Sequence, residues 1–82
     1  ASTPSYLSLN VQFKEPYNLA EVISKIKKIS IIKSHNIQEL NKNNAIIKIK
    51  YLGKIKSLEN FLIQNGFRIK IQDNEWNLII KR

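Results

Sequence analysis

Between Tyr6 and Phe13 the side chains alternate, with Leu7, Leu9, Val11 and Phe13 on one side and Ser8, Asn10 and Gln12 on the other. A period of two predicts a strand with one buried face. Pro16 breaks the pattern, and Asn18 followed three residues later by Glu21 predicts a capping box, in which the amide oxygen accepts from first-turn N–H groups and the carboxylate reaches back. Leu19, Val22, Ile23 and Ile26 then recur at helical spacing, with Glu21, Ser24, Lys25 and Lys28 turned to solvent, so a first helix ends near Lys28. The run from Ile29 to Leu40 is rich in β-branched residues, but Ile31 and Ile37 fall on one parity and Ile32 and Leu40 on the other. Broken alternation of this kind predicts an irregular or bulged edge strand.

The cluster Asn41, Lys42, Asn43, Asn44 is turn chemistry, and from Ala45 to Leu52 alternation resumes, directing Ile47, Ile49 and Tyr51 inward. Gly53 marks the exit from this strand. Ile55, Leu58, Phe61 and Leu62 form the stripe of a second helix, which Asn65 and Gly66 end with a left-handed cap. A two-residue turn at Asp73 and Asn74 sets Ile71 opposite Trp76, Ile69 opposite Leu78 and Phe67 opposite Ile80. Every large apolar residue on that face then has an apolar partner, and Trp76 is expected to be buried against Ile71 and the helices.

The order is β-α-β-β-α-β with an additional C-terminal hairpin strand. One apolar face per strand and one stripe per helix predict a ferredoxin-like α+β sandwich, an antiparallel sheet with two helices on one face. Its 82 residues suffice for one core, so residues 1–82 read as a single domain. Ala1 to Ser5 read as a disordered lead or cloning remnant ahead of a piece of a longer protein. No apolar run approaches the roughly 20 residues that cross a bilayer, and without Cys there is neither a disulfide nor a thiolate metal site.

The formal charge of +8 could draw nucleic acid, an anionic lipid surface or an acidic protein. Of the 14 basic residues, all but Arg68 and Arg82 are Lys, and the chain is rich in Ile and Asn, so an A+T-rich genome accounts for much of that charge.

Candidate chemistry is sparse. Hydrolysis or proton transfer needs a base beside a nucleophile or second acid, and the only imidazole is His35, on the irregular strand. Glu21 belongs to a cap, Glu59 to a solvent face, and Asp73 and Glu75 to a turn. No donors converge at metal-ligand spacing, and Gly53 and Gly66 stand alone rather than in a phosphate-cradling loop. No catalytic residue, cofactor or metal is expected, and the chain reads as a non-enzyme.

Two binding functions follow. For protein contact, Ile46, Ile63 and Ile79 fall off the predicted apolar faces, and the irregular strand could accept a partner strand. For anion or nucleic-acid contact, the outward face carries Ser8, Asn10 and Gln12 together with Lys48, Lys50, Arg68 and Lys70. RNA readers of this topology stack bases on exposed aromatics, and here only Tyr6 is placed to serve. Docking to protein, another domain of the same chain or a second protomer, is the leading expectation and nucleic acid the alternative.

The run Ala45-Ile-Ile-Lys-Ile-Lys-Tyr-Leu-Gly53, then Leu58, Leu62, Gly66-Phe67 and Trp76-Asn-Leu, resembles the C-terminal domain of the proteobacterial family known as domain of unknown function 2066. Phe13-Lys-Glu-Pro-Tyr-Asn-Leu19 and Ile26-Lys-Lys-Ile-Ser-Ile-Ile are similar to that family's opening helix and following segment. The resemblance spans most of the chain through core and boundary residues. It implies a periplasmic or envelope-associated bacterial protein with no reaction and no catalytic residues to carry over. The topology is also similar to that of small periplasmic domains of secretion and pilus-assembly proteins, which pair through helix or strand faces.

Overall fold

The computed structural model describes residues 3–15 and 18–82. Seven elements follow one another: β1 (Ser5–Gln12), α1 (Asn18–Lys27), β2 (Ile32–Leu40), β3 (Asn44–Tyr51), α2 (Ile55–Gln64), β4 (Phe67–Gln72) and β5 (Glu75–Ile80). Both helices and all five strands lie where periodicity predicts them. Ser5 already belongs to β1, opposite Tyr51, which corrects the expectation that it is part of a disordered lead. Ala1, Ser2 and the strand-breaking Pro16 lie outside the described residues.

The strands form one sheet in the order β2-β3-β1-β5-β4. Leu9 lies opposite Ile47 and Val11 opposite Ala45 in the antiparallel β1–β3 pair, and on the other side Leu9 faces Trp76 and Val11 faces Leu78. That second pair, β1–β5, is parallel. The sheet is therefore mixed, which corrects the antiparallel expectation. The terminal strand is not an outer addition. It fills the place beside β1 and displaces β4 to the border. Burial on the helix side explains the exchange: β5 brings Trp76 and Leu78, both buried, to the middle of the sheet, whereas β4 leaves Ile69 partly covered and Ile71 exposed at the border.

One face of the sheet forms the core. Leu9, Val11, Ile47, Ile49, Phe67 and Leu78 join Val22 and Ile26 of α1 and Leu58 and Leu62 of α2 in a single buried cluster, so both helices cover the same face. Leu19 and Ile23 pack against it half-buried. Ile55 and Phe61, expected in the α2 stripe, are exposed at its flanks. Among the described residues no helix is long and apolar enough to cross a membrane.

Local chemistry accounts for the element ends. Asp73 and Asn74 adopt φ of 52° and 64°, the paired left-handed angles of a type I′ turn, and all three predicted apolar pairs of the hairpin form in register. Gly66, at φ 92°, follows the Asn65 cap, where the Asn65 side-chain amide donates to the Phe61 carbonyl at 2.8 Å. The Asn18–Glu21 box takes a different form. The Asn18 Oδ1 accepts from the Glu15 N–H at 3.1 Å while its Nδ2 donates to Glu21, so Asn18 ties the helix back to the preceding turn and is buried in doing so. Glu21 is drawn further by Arg82, whose guanidinium donates to both carboxylate oxygens at 3.0 and 3.1 Å. Those partners are 61 residues apart, beyond the reach of a local pattern.

Candidate binding surfaces

Strand parity turns one complete sheet face away from the helices. Across it, neighbouring residues run in rows: Ser34, Lys50 and Tyr6 in one, Asn36, Lys48 and Ser8 in the next. A third row carries Glu39, Ile46, Asn10, Asn77 and Lys70 across all five strands, and a fourth carries Asn44, Gln12, Ile79 and Arg68. The predicted cations Lys48, Lys50, Arg68 and Lys70 thus share this face, in two pairs separated by three strand spacings, roughly 14 Å. Lys48 Nζ sits 5.1 Å from the centroid of the Tyr6 ring, a cation–π contact that occupies the exposed aromatic on this face.

Between the two cation pairs runs a directed series of amides. Asn41 Nδ2 donates to Asn44 Oδ1 at 3.1 Å, Asn44 Nδ2 to Asn10 Oδ1 at 3.0 Å, and Asn10 Nδ2 to Asn77 Oδ1 at 3.0 Å, after which Asn77 approaches the Lys70 carbonyl at 3.5 Å. Asn10 was placed on this face by alternation, but Asn44 and Asn77 were not identified. Their contacts to Asn10 bridge 34 and 67 positions and depend on strand order.

The apolar candidates do not converge. Ile46 and Ile79 share the open face, two strands apart, whereas Ile63 projects from α2 in the helix layer. Ile63 and Ile79 are half exposed and Ile46 is partly covered. Uncovered apolar side chains also lie at both borders: Ile37 and Leu40 on β2, Ile71 on β4. All three have helix-side parity, opposite Ile47, Ala45 and Trp76, so the helix layer stops short of them. Trp76 is buried as expected, but Ile71 leaves 47% of its surface free.

His35 lies opposite Ile49, half-buried in β2. Among the described residues no group of His, Asp and Glu side chains is placed to hold a metal ion. Glu59 pairs with Lys56 at 3.2 Å on the surface of α2. A cleft of about 800 Å³ opens where β1 and β5 end, between Phe13, Asn43, Ile79 and Ile80, with Lys14, Arg68 and Arg82 on its walls. A smaller groove runs over the open face between Gln12, Arg68, Lys70 and Asn77.

No family model, curated protein or solved structure matches the chain.

Proposed function

We propose that this chain is a non-catalytic interaction domain that docks against protein, the assembly module of a bacterial envelope protein of the kind its sequence resembles. The uncovered apolar side chains at both sheet borders carry this reading: Ile37 and Leu40 at one, Ile71 at the other, each held on the helix side by strand parity and left open. Exposed apolar side chains beside an unpaired strand are what a partner strand or helix covers. The architecture is a ferredoxin-like unit with β5 inserted between β1 and β4, which makes β4 a border strand.

Ile63 and Ile79 lie on opposite layers, so their substitutions separate two docking surfaces. Sedimentation equilibrium of wild type, Ile63→Asp and Ile79→Asp across a concentration series tests self-docking. Assembly lost in one variant with an unchanged circular dichroism spectrum identifies the face. Assembly unchanged in both removes these residues from the reading.

A second reading, single-stranded nucleic acid on the open face, is favoured by one observation: Lys48, Lys50, Arg68 and Lys70 share that face. An amide-shift titration with a short single-stranded RNA decides between them. Docking predicts shifts that are absent or abolished by moderate salt. Shifts clustered on the four cations and surviving moderate salt establish the nucleic-acid reading instead.

A further inference from the structure

We propose that the free edge of β4 accepts an extended acidic segment of a partner protein as a sixth strand. This rests on the docking reading and specifies its surface and occupant. The two-residue turn makes Gln72 and Glu75 the hydrogen-bonded pair that closes the hairpin, and in an antiparallel ladder such pairs recur at every second residue. Lys70 with Asn77 and Arg68 with Ile79 are therefore bonded pairs, and the Lys81 N–H bond to the Gly66 carbonyl at 2.8 Å continues the series. Phe67, Ile69 and Ile71 consequently turn their N–H and C=O groups away from β5. Among the described residues, no hydrogen bond outside the ladder reaches these groups.

The opposite border is built differently. The register between β2 and β3 shifts twice, between Ile32 and Ser34 and between Ile37 and Glu39. Each shift leaves an extra residue that bends and twists the strand, a device that blunts an edge against pairing. β4 has no register shift and no Pro, and it presents its free groups at regular spacing.

The side chains flanking that edge select the occupant. On the open face stand Arg68 and Lys70, and on the helix side Ile69 is partly covered and Ile71 exposed. A second copy pairing β4 with β4 around Ile69 sets Arg68 of each copy opposite Lys70 of the other. Like charges directly opposite destabilise a strand pair, and each copy brings a net +8. A strand alternating carboxylate and apolar side chains instead meets Arg68 and Lys70 on one face and Ile69 and Ile71 on the other. Main-chain bonds supply its affinity and alternate side chains its specificity.

The test uses capped eight-residue peptides alternating Glu with Val, or Lys with Val, and amide hydrogen exchange of the full chain. Saturating Glu-Val peptide is expected to slow exchange at Ile69 and Ile71 by about tenfold or more, with little change at Lys70, which is already bonded to Asn77. The same peptide N-methylated at its Val residues, whose N–H groups meet Ile69 and Ile71 when the strand runs antiparallel to β4, leaves the protein untouched but cannot complete the ladder, and is expected to bind about tenfold more weakly. Arg68→Glu with Lys70→Glu is expected to reverse the preference toward the Lys-Val peptide. Undetectable binding, equal binding of the methylated peptide, or unchanged exchange at Ile69 and Ile71 overturns the proposal. Slowed exchange confined to Tyr6, Lys48 and Lys50 also overturns it, yet leaves docking through Ile63 or Ile79 to its own sedimentation test.

Discussion

The β2 border and the β4 border belong to one sheet and draw on similarly apolar segments, yet they are finished in opposite ways. β2 follows β3 through two register shifts and leaves Ile37 and Leu40 about half exposed on the helix side. β4 and β5 pair without a slip from Phe67–Ile80 to Gln72–Glu75, and Phe67, Trp76 and Leu78 are buried. α2 rests against β4. Unbroken alternation commits one face of a strand to the core, so its register cannot slip without exposing that whole face. Where alternation breaks, as between Ile31 and Ile37 on one parity and Ile32 and Leu40 on the other, bulges absorb the mismatch; apolar exposure does not separate the borders, since Ile71 on β4 is as open as Ile37. The break in alternation decides which edge is blunted and which stays open.

The largest test of this contrast is Trp76→Ala. Trp76 stands beside Leu9 across the parallel pair and opposite Ile71 across the hairpin. Its truncation should destabilise the fold by about 3–5 kcal/mol in urea unfolding. A loss below about 1 kcal/mol contradicts a core role for the β5 register. Gly66→Ala should be intermediate, about 1–3 kcal/mol, because φ of 92° strains any residue with a Cβ. That Cβ also meets Lys25 Nζ at 2.8 Å, but Lys25 is flexible and can withdraw, so backbone strain supplies most of the loss. Leu40→Ser should be the smallest effect, within about 0.5 kcal/mol, since Leu40 is 57% exposed on the blunted border. A loss above about 2 kcal/mol by the same measurement shows that the β2 border is covered in solution, and the contrast between the borders then fails.

Much of this architecture is legible in residue order. The type I′ turn follows from Asp73-Asn74, the cap from Gly66 and the bulged edge from the parity conflict around Ile32 to Leu40, because each depends on neighbours a few positions apart. The cation set on the open face was legible for the same reason, since parity alone assigns Lys48, Lys50, Arg68 and Lys70 to outward positions. What could not be read locally were the contacts that join distant segments: Arg82 with Glu21, and Asn77 with Asn10 and Asn44. The capping box at Asn18 differs from the local expectation because its amide oxygen serves the Glu15 N–H rather than the first-turn N–H groups, while its Nδ2 still reaches Glu21. Residue order separates Ile63, on a helix, from Ile46 and Ile79, on strands, but only the strand order sets Ile46 and Ile79 two strands apart on one face.

The sequence by itself determined the seven elements, the inward face of each regular strand and the register of the terminal hairpin, through periodicity and turn chemistry that act within a few residues. Tertiary structure alone decided that β5 lies parallel to β1, that β4 becomes a free border, and that the open face carries an amide series between two pairs of cations. Strand order is set by competition among segments for the middle of the sheet. On the helix side β5 buries Trp76 and Leu78 in the middle of the sheet, whereas β4 leaves Ile69 only partly covered and Ile71 exposed at the border, and removing the larger apolar surface from water is the larger gain.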